Sequence, residues 1–123
     1  MAEERTITRR IGRVIRAASC SFAGLRHVLL HESAFQEEVL VLVLLVIPGA
    51  IWLGETGVER SLLIGSWLNV LVVEVLNTSI EVAVDRIGTE HHHLSGQAKD
   101  LGSLAVLLSI VLALVVWGLI LFT

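Results

Sequence analysis

Three long apolar stretches constrain this chain more than any other feature of its sequence. They cover residues 39–53, 62–84 and 101–122, and the third carries no charged side chain. A helix rises about 1.5 Å per residue, so about 20 residues cross a bilayer core about 30 Å thick. The second and third stretches reach that length, and the first reaches it when its helix starts at residue 34. The sequence therefore predicts three transmembrane helices, over about residues 34–53, 62–85 and 101–122, with a kink at Pro48 in the first.

The composition also favours a membrane protein. The 123 residues are 54% hydrophobic and 17% charged, and their mean hydropathy is +0.81. A soluble domain carries about 25% charged residues, and a soluble core of this size could not bury so many apolar side chains. The net charge of −3 argues against nucleic-acid binding, and the single cysteine, Cys20, cannot form an internal disulfide. We expect a single all-α integral-membrane domain over residues 1–123.

The segment before the first stretch has the pattern of an amphipathic helix over about residues 6–33. Arg9, Arg13 and Arg16 recur on one face of it. On another face, apolar side chains recur at spacings of 4, 3, 4, 3 and 4: Ile11, Ile15, Ala18, Phe22, Leu25 and Leu29. This pattern is typical of a helix that lies in the membrane interface, with its arginines toward anionic head groups. A helix packed on a soluble partner is the alternative.

Basic residues predict which side of the membrane each loop faces. Residues 1–38 contain six arginines, and the segment 85–100 adds Arg86 and Lys99. The turn between the first two spans contains only Arg60, and the C-terminus has no basic residue. Because cytoplasmic loops are enriched in Lys and Arg, we expect the N-terminus and the 85–100 loop to lie in the cytoplasm.

The second apolar stretch carries polar side chains along one helix face. Glu74, Asn77, Glu81 and Asp85 are spaced by 3, 4 and 4 residues, which brings them to the same side of a helix. An ionisable group within the bilayer costs at least ~2.5 kcal/mol, which favours a function over a purely structural polar seam. Two carboxylates at the membrane boundary can hold Mg²⁺ together with phosphate oxygens, or one of them can act as a general base. Glu32, near the end of the amphipathic helix, is a third acid placed to join such a site.

The polar loop over residues 85–100, DRIGTEHHHLSGQAKD, offers further contacts. Lys99 can meet a phosphate group as a point charge. His91, His92 and His93 are consecutive, so they point in different directions, and no cysteine accompanies them. Contacts to a nucleotide or to water are therefore favoured over a zinc site. The chain has no Gly-x-x-x-x-Gly-Lys-Ser/Thr sequence, which excludes a nucleotide enzyme of the common P-loop type.

Four segments of the sequence resemble one known family. VEVLNTSIEVAVDRIG over residues 73–88 and LSGQAKDLGS over 94–103 closely resemble the prokaryotic diacylglycerol kinases, which are small integral-membrane lipid kinases. SFAGLR over 21–26 and HESAFQEE over 31–38 match the interfacial region of that family. The resemblance implies a homotrimer of subunits in the bacterial inner membrane, each with three transmembrane helices and a surface helix, and active sites between neighbouring subunits at the cytoplasmic boundary. It also implies transfer of the γ-phosphoryl of ATP, with Mg²⁺ as cofactor, to the primary hydroxyl of diacylglycerol, giving phosphatidic acid.

The resemblance implies roles for individual residues. Glu74 is the expected catalytic base, and Glu32 and Glu81 are expected to hold the Mg²⁺ bound to ATP. The residues expected at the nucleotide are Arg13, Cys20, Glu32, Asn77, Glu81, Glu90, His91, His92, Lys99 and Asp100. The residues expected at the lipid are Arg13, Ala17, Ala18, Ser21, Phe22, Arg26, Ala34, Phe35, Glu38, Glu74 and Ser103.

Three other functions compete with this one. Some members of the family phosphorylate undecaprenol, but the arginine-bearing surface helix and the SFAGLR segment favour diacylglycerol. A small ion or proton transporter subunit would bind its ion at Glu74 and Glu81. This function would give no role to Glu32 or to the AKD sequence over residues 98–100. A purely structural trimer predicts that Glu74→Gln changes nothing measurable.

Overall fold

The chain folds into helices alone. A computed structural model describes all of its residues, Met1–Thr123, and contains no strand. Its four helices are α1 (Ala2–His31), α2 (Ser33–Leu53), α3 (Gly57–Ile87) and α4 (His93–Phe122). Two compact units divide the chain: Met1–Ser33, which contains α1, and Ala34–Thr123, which contains the rest. The all-α class predicted from the sequence is confirmed.

Three of the helices are long and apolar enough to cross a membrane, as predicted. They are α2, α3 and α4, with 21, 31 and 30 residues. At about 1.5 Å per residue, α3 and α4 are each about 45 Å long, so their ends extend past a bilayer core of about 30 Å. Large apolar side chains such as Leu44, Val72 and Leu114 are exposed along all three, which suits a surface that faces lipid.

The helices extend beyond the apolar stretches because polar residues cap their ends. α3 begins at Gly57, five residues before the predicted start, where the Thr56 hydroxyl accepts a hydrogen bond from the Glu59 N–H at 3.1 Å. The Glu59 carboxylate in turn accepts from the Glu55 N–H at 2.7 Å. α4 begins at His93, where Nδ1 of His92 accepts from the Leu94 N–H at 3.1 Å. Capping thus fixes the helix starts in polar sequence that hydropathy alone does not assign.

α1 is one uninterrupted amphipathic helix of 30 residues. It ends where Glu32 adopts an extended backbone, with φ −110° and ψ 105°. The apolar side chains of its predicted face, including Ile11, Phe22 and Leu25, are exposed. The helix is confirmed, and its location in the membrane interface stays a prediction.

α2 changes its winding before Pro48. Residues Leu42–Val46 form a π-helical segment, and the Ile47 N–H bonds to the Leu42 carbonyl five residues back. Proline has no N–H to offer the preceding turn, and single π-helical turns are one of the ways in which a helix accommodates such a break. The irregularity expected at Pro48 therefore lies in the turn that precedes it.

α3 is the centre of the second unit and packs against both α2 and α4, most extensively against α4. The buried face of α4 consists of small side chains, Gly102, Ser109 and Ala113. Small residues let two membrane helices approach closely and gain van der Waals contact. In lipid this contact drives helix association, because the hydrophobic effect does not act between helices there.

Two tryptophans link neighbouring helices through their indole N–H groups. Trp67 on α3 donates to the Glu38 carbonyl on α2 at 2.8 Å, and Trp117 on α4 donates to the Leu63 carbonyl on α3 at 3.1 Å. The Trp117 ring also packs so closely on Gly49 that a Cβ there would lie 3.2 Å from it. Each bond satisfies an N–H that lipid could not.

The first prediction concerns the Trp117 hydrogen bond. Trp117→Phe keeps an aromatic ring but removes the donor, so we expect the free energy of unfolding to fall by about 1 kcal/mol. The matched control is Trp52→Phe, because Trp52 is 87% exposed, and it should change stability little. Equilibrium unfolding in mixed micelles measures both variants, and equal losses of stability would contradict the prediction.

Candidate active site

One face of α3 changes from apolar to polar along its length. Leu63 and Val70 on this face are fully buried, and Glu74, one turn further, is only 7% exposed. Asn77 and Glu81 are half-buried, and the Asp85 side chain is 51% exposed. Burial of the polar side chains thus decreases toward the end of α3, and Glu74 is the acid that the protein covers most.

A second acid that the protein partly covers lies on α2. Glu38 is half-buried, and its Oε2 atom is buried without a hydrogen-bond partner. The charges of Glu74 and Glu37 both act on the Glu38 carboxylate. The family resemblance implies a lipid contact for Glu38, but the sequence does not indicate that the charge of Glu74 acts on it, because periodicity does not tell which faces of two helices meet.

Lys99 connects the end of α3 to the start of α4. Its Nζ atom lies 2.8 Å from Oδ1 of Asp85, and the charge of Glu81 also acts on it. Both side chains of the pair are close to half exposed, so water and salt screen the attraction. Asp100 and Ser103, which follow on α4, are exposed. Lys99 is therefore a cation held at the solvent-facing end of the acidic face, where an anion can reach it.

Asn77 has its two amide atoms in different surroundings. Its Nδ2 atom donates a long hydrogen bond of 3.5 Å to Oε1 of Glu81. Its Oδ1 atom is buried without a hydrogen-bond partner and lies against the backbone of Gly102 on α4. Gly102 is not among the site residues predicted from the sequence. The helical spacing of small residues at Ala98, Gly102, Ser109 and Ala113 is the signal that could have found this face of α4.

The loop between α3 and α4 presents its predicted residues to solvent. Glu90 and His91 are exposed, and His92 caps α4 and stacks on His93 with ring centroids 4.9 Å apart. No group of three or more His, Cys, Asp or Glu side chains in the chain is arranged to hold a metal ion. The carboxylate of Glu81 instead fits Mg²⁺ that arrives with phosphate, because Mg²⁺ takes one or two carboxylates and completes its shell with phosphate and water.

The remaining predicted residues lie on α1 or at the start of α2. The Ser21 hydroxyl on α1 donates to the Ala17 carbonyl at 2.9 Å, and Cys20 is a free, exposed thiol. Glu32 is half-buried at the end of α1. On α2, Ala34 is exposed and Phe35 is buried. The other α1 residues are all exposed: Arg13, Ala18, Phe22 and Arg26.

The fold and the site define a class of protein. This is a small multi-pass helical membrane protein whose central helix carries one buried acid, Glu74, followed by less buried acids that lead to an exposed lysine. Such a site suits a reaction between a group in the membrane and a phosphate compound in water.

Comparison with known proteins identifies the family. A sequence model of the prokaryotic diacylglycerol kinase family matches residues 19–121. The diacylglycerol kinase of Escherichia coli (strain K12) is 48% identical over 111 residues, which are 90% of each chain. That of Haemophilus influenzae is 44% identical over 89% of this chain and 92% of its own, and that of Pseudomonas aeruginosa is 41% identical over 89% and 88%. The chain belongs to the prokaryotic diacylglycerol kinase family and is a lipid kinase.

The second prediction follows from the two neighbouring acids. Glu38→Gln removes a partly buried charge that Glu74 repels, so we expect the protein to become more stable. The unfolding temperature should rise by a few degrees, the shift that about 1 kcal/mol produces in a domain of this size. Glu37→Gln at the exposed neighbouring position is the control and should raise it less. Thermal unfolding in detergent tests this, and a lower unfolding temperature for Glu38→Gln would contradict it.

Proposed function

We propose that this chain transfers the γ-phosphoryl group of MgATP to the primary hydroxyl of diacylglycerol, giving phosphatidic acid and ADP. The bond between the γ-phosphorus and its bridging oxygen breaks, and a bond between that phosphorus and the lipid oxygen forms. The hydroxyl proton leaves to a carboxylate of the protein. The three relatives compared above are named diacylglycerol kinases, which supports this lipid over undecaprenol.

The observation that carries the proposal is the buried carboxylate of Glu74 on a helix that crosses the membrane. A lipid hydroxyl is available only at the depth of the interface, so a base for it has to lie on a membrane helix at the level of the head groups. We assign Glu74 as the general base that takes the hydroxyl proton. Exposed apolar side chains on the same helix, such as Val75, offer a surface on which an acyl chain can lie.

The solvent-facing end of the same face would receive the nucleotide. Phosphoryl transfer depends mainly on positioning and on neutralising negative charge. Glu81 would hold the Mg²⁺ that ATP carries, which neutralises the phosphate oxygens, while Asn77 would orient the phosphates and Lys99 would add positive charge. The resemblance assigns further nucleotide contacts to Asp100, Glu90, His91 and His92, and to Arg13, Cys20 and Glu32 on α1. Those contacts, and the role of Glu32 as a second metal ligand, stay predictions.

The same proposal includes location and assembly. The distribution of basic residues supports a cytoplasmic N-terminus and a cytoplasmic 85–100 loop in a bacterial inner membrane. With that orientation the acidic end of α3 faces the compartment that contains ATP. A homotrimer with sites between subunits is the assembly that the family resemblance implies.

The third prediction tests the reaction and its base together. Purified protein in mixed micelles, given γ-labelled ATP, Mg²⁺ and diacylglycerol, should form phosphatidic acid. Glu74→Gln keeps the size of the side chain but removes the base, so kcat should fall by about 10²–10⁴, the usual contribution of general base catalysis. Glu55→Gln, at an exposed acid beyond the other end of α3, is the control and should keep full activity.

The outcomes separate the competing functions. Undecaprenol offered in a parallel reaction should give little product, and undecaprenyl phosphate as the main product would overturn the choice of lipid while keeping the chemistry. An unchanged kcat in Glu74→Gln would refute the role of this residue. No product from either lipid in a folded protein would contradict the proposed reaction itself.

A further inference from the structure

Gly102 lies buried on α4 where this helix passes the polar face of α3. A Cβ at this position would overlap Oδ1 of Asn77, and it would lie 3.3 Å from Cγ of Asn77 and 3.9 Å from Cδ1 of Ile80. No glycine in the chain has a positive φ, so the helical backbone at residue 102 does not itself require glycine. Alanine is the better helix former at such a position. The feature that requires glycine here is the space occupied by the Asn77 amide.

The Asn77 amide occupies this space in one orientation. The oxygen lies buried against Gly102 without a hydrogen bond, and the nitrogen donates to Glu81. The opposite orientation would direct the amide oxygen at the Glu81 carboxylate, and two acceptors facing each other repel. Contact with Gly102 on one side and the bond to Glu81 on the other therefore hold the amide in one orientation.

We propose that Gly102 is a positioning residue for phosphoryl transfer, because the missing side chain leaves room for the Asn77 amide to face Glu81. The inference rests on the proposed function, in which Asn77 and Glu81 hold the phosphates and their Mg²⁺. Gly102 itself would touch neither substrate. It acts through Asn77, and any side chain at residue 102 forces that amide out of place.

Gly102→Ala is the direct test. The Asn77 side chain has to rotate away from the new methyl group, which moves the amide nitrogen off Glu81. We expect kcat/KM for MgATP to fall by about tenfold or more, since misplacing a positioning group by about 1 Å affects turnover on that scale. The KM for diacylglycerol should stay unchanged. Gly96→Ala is the matched control, because it lies on the same helix with nothing within 4 Å of the added Cβ, and it should keep wild-type kinetics.

A double-mutant cycle separates positioning from a general loss of structure. If Gly102 acts through Asn77, Gly102→Ala disturbs only the position of the Asn77 amide, and Asn77→Ala has already removed that amide. The kcat/KM of the double variant should therefore be no lower than that of Asn77→Ala alone. Independent, additive losses in the double variant would overturn the proposal. So would a Gly102→Ala variant whose nucleotide kinetics equal those of Gly96→Ala.

Stability supplies a readout that does not depend on activity. Gly102→Ala should lower the unfolding temperature when Asn77 is present, and it should lower it less, or not at all, in the Asn77→Ala background, where the overlap is removed. If Gly102→Ala alone does not fold, recovery of folding in the double variant supports the contact, and failure to recover overturns it. The two claims can also fail separately. If Asn77→Ala and Glu81→Gln keep full activity, the proposed function of the site is wrong, even where the stability measurements still show that residues 77 and 102 are coupled.

Discussion

Carboxylates in the middle of an apolar helix are the constraint on which this structure depends. Each costs free energy unless protein or water surrounds it, so the face of α3 that carries Glu74 has to be covered by other helices. α2 and α4 provide that cover, and the small residues on α4 allow the approach that it requires. The large apolar side chains are then left to face lipid. The arrangement of the three membrane helices is thus set by the need to enclose one polar face.

The enclosed polar groups are incompletely satisfied, which is typical of a site built for a ligand. Oε2 of Glu38 and Oδ1 of Asn77 are the two buried side-chain atoms without a hydrogen-bond partner in the chain. Polar groups in this state reduce stability, and proteins keep such groups mainly where a function uses them. Asn77 bonds to Glu81, which we assign to metal binding, and the charge of Glu74, which we assign to catalysis, acts on Glu38. The buried polar atoms that lower the stability of the fold therefore lie in the same region as the proposed chemistry.

Much of this architecture could be predicted from the sequence, because membrane helices are recognisable by their length and hydropathy. The sequence predicts the three spans and the amphipathic α1, and the spacing of Glu74, Asn77 and Glu81 predicts that they lie on one face. The helix starts were missed, since the caps at Thr56 and His92 act in polar sequence.

What could not be predicted depends on how two helices meet. A periodic pattern gives the face of one helix but not the partner that covers it, so the approach of Gly102 to Asn77 does not follow from spacing. The same holds for the charge of Glu74 acting on Glu38. The π-helical turn before Pro48 is a similar case, because proline predicts a disturbance without specifying its form.

The central claim is that the acids of α3 lie at the boundary of the bilayer, where a lipid hydroxyl and a water-soluble phosphate can meet. Spin labels on cysteines at Leu68 and Leu76, two exposed positions on α3, test this directly in a Cys20→Ser background. Depth is measured from the relative access of oxygen and of a water-soluble nickel chelate. We expect a label near the bilayer centre at residue 68 and one at head-group level at residue 76, about 12 Å apart along the helix. A label at residue 76 that lies as deep as the one at residue 68 would contradict the claim.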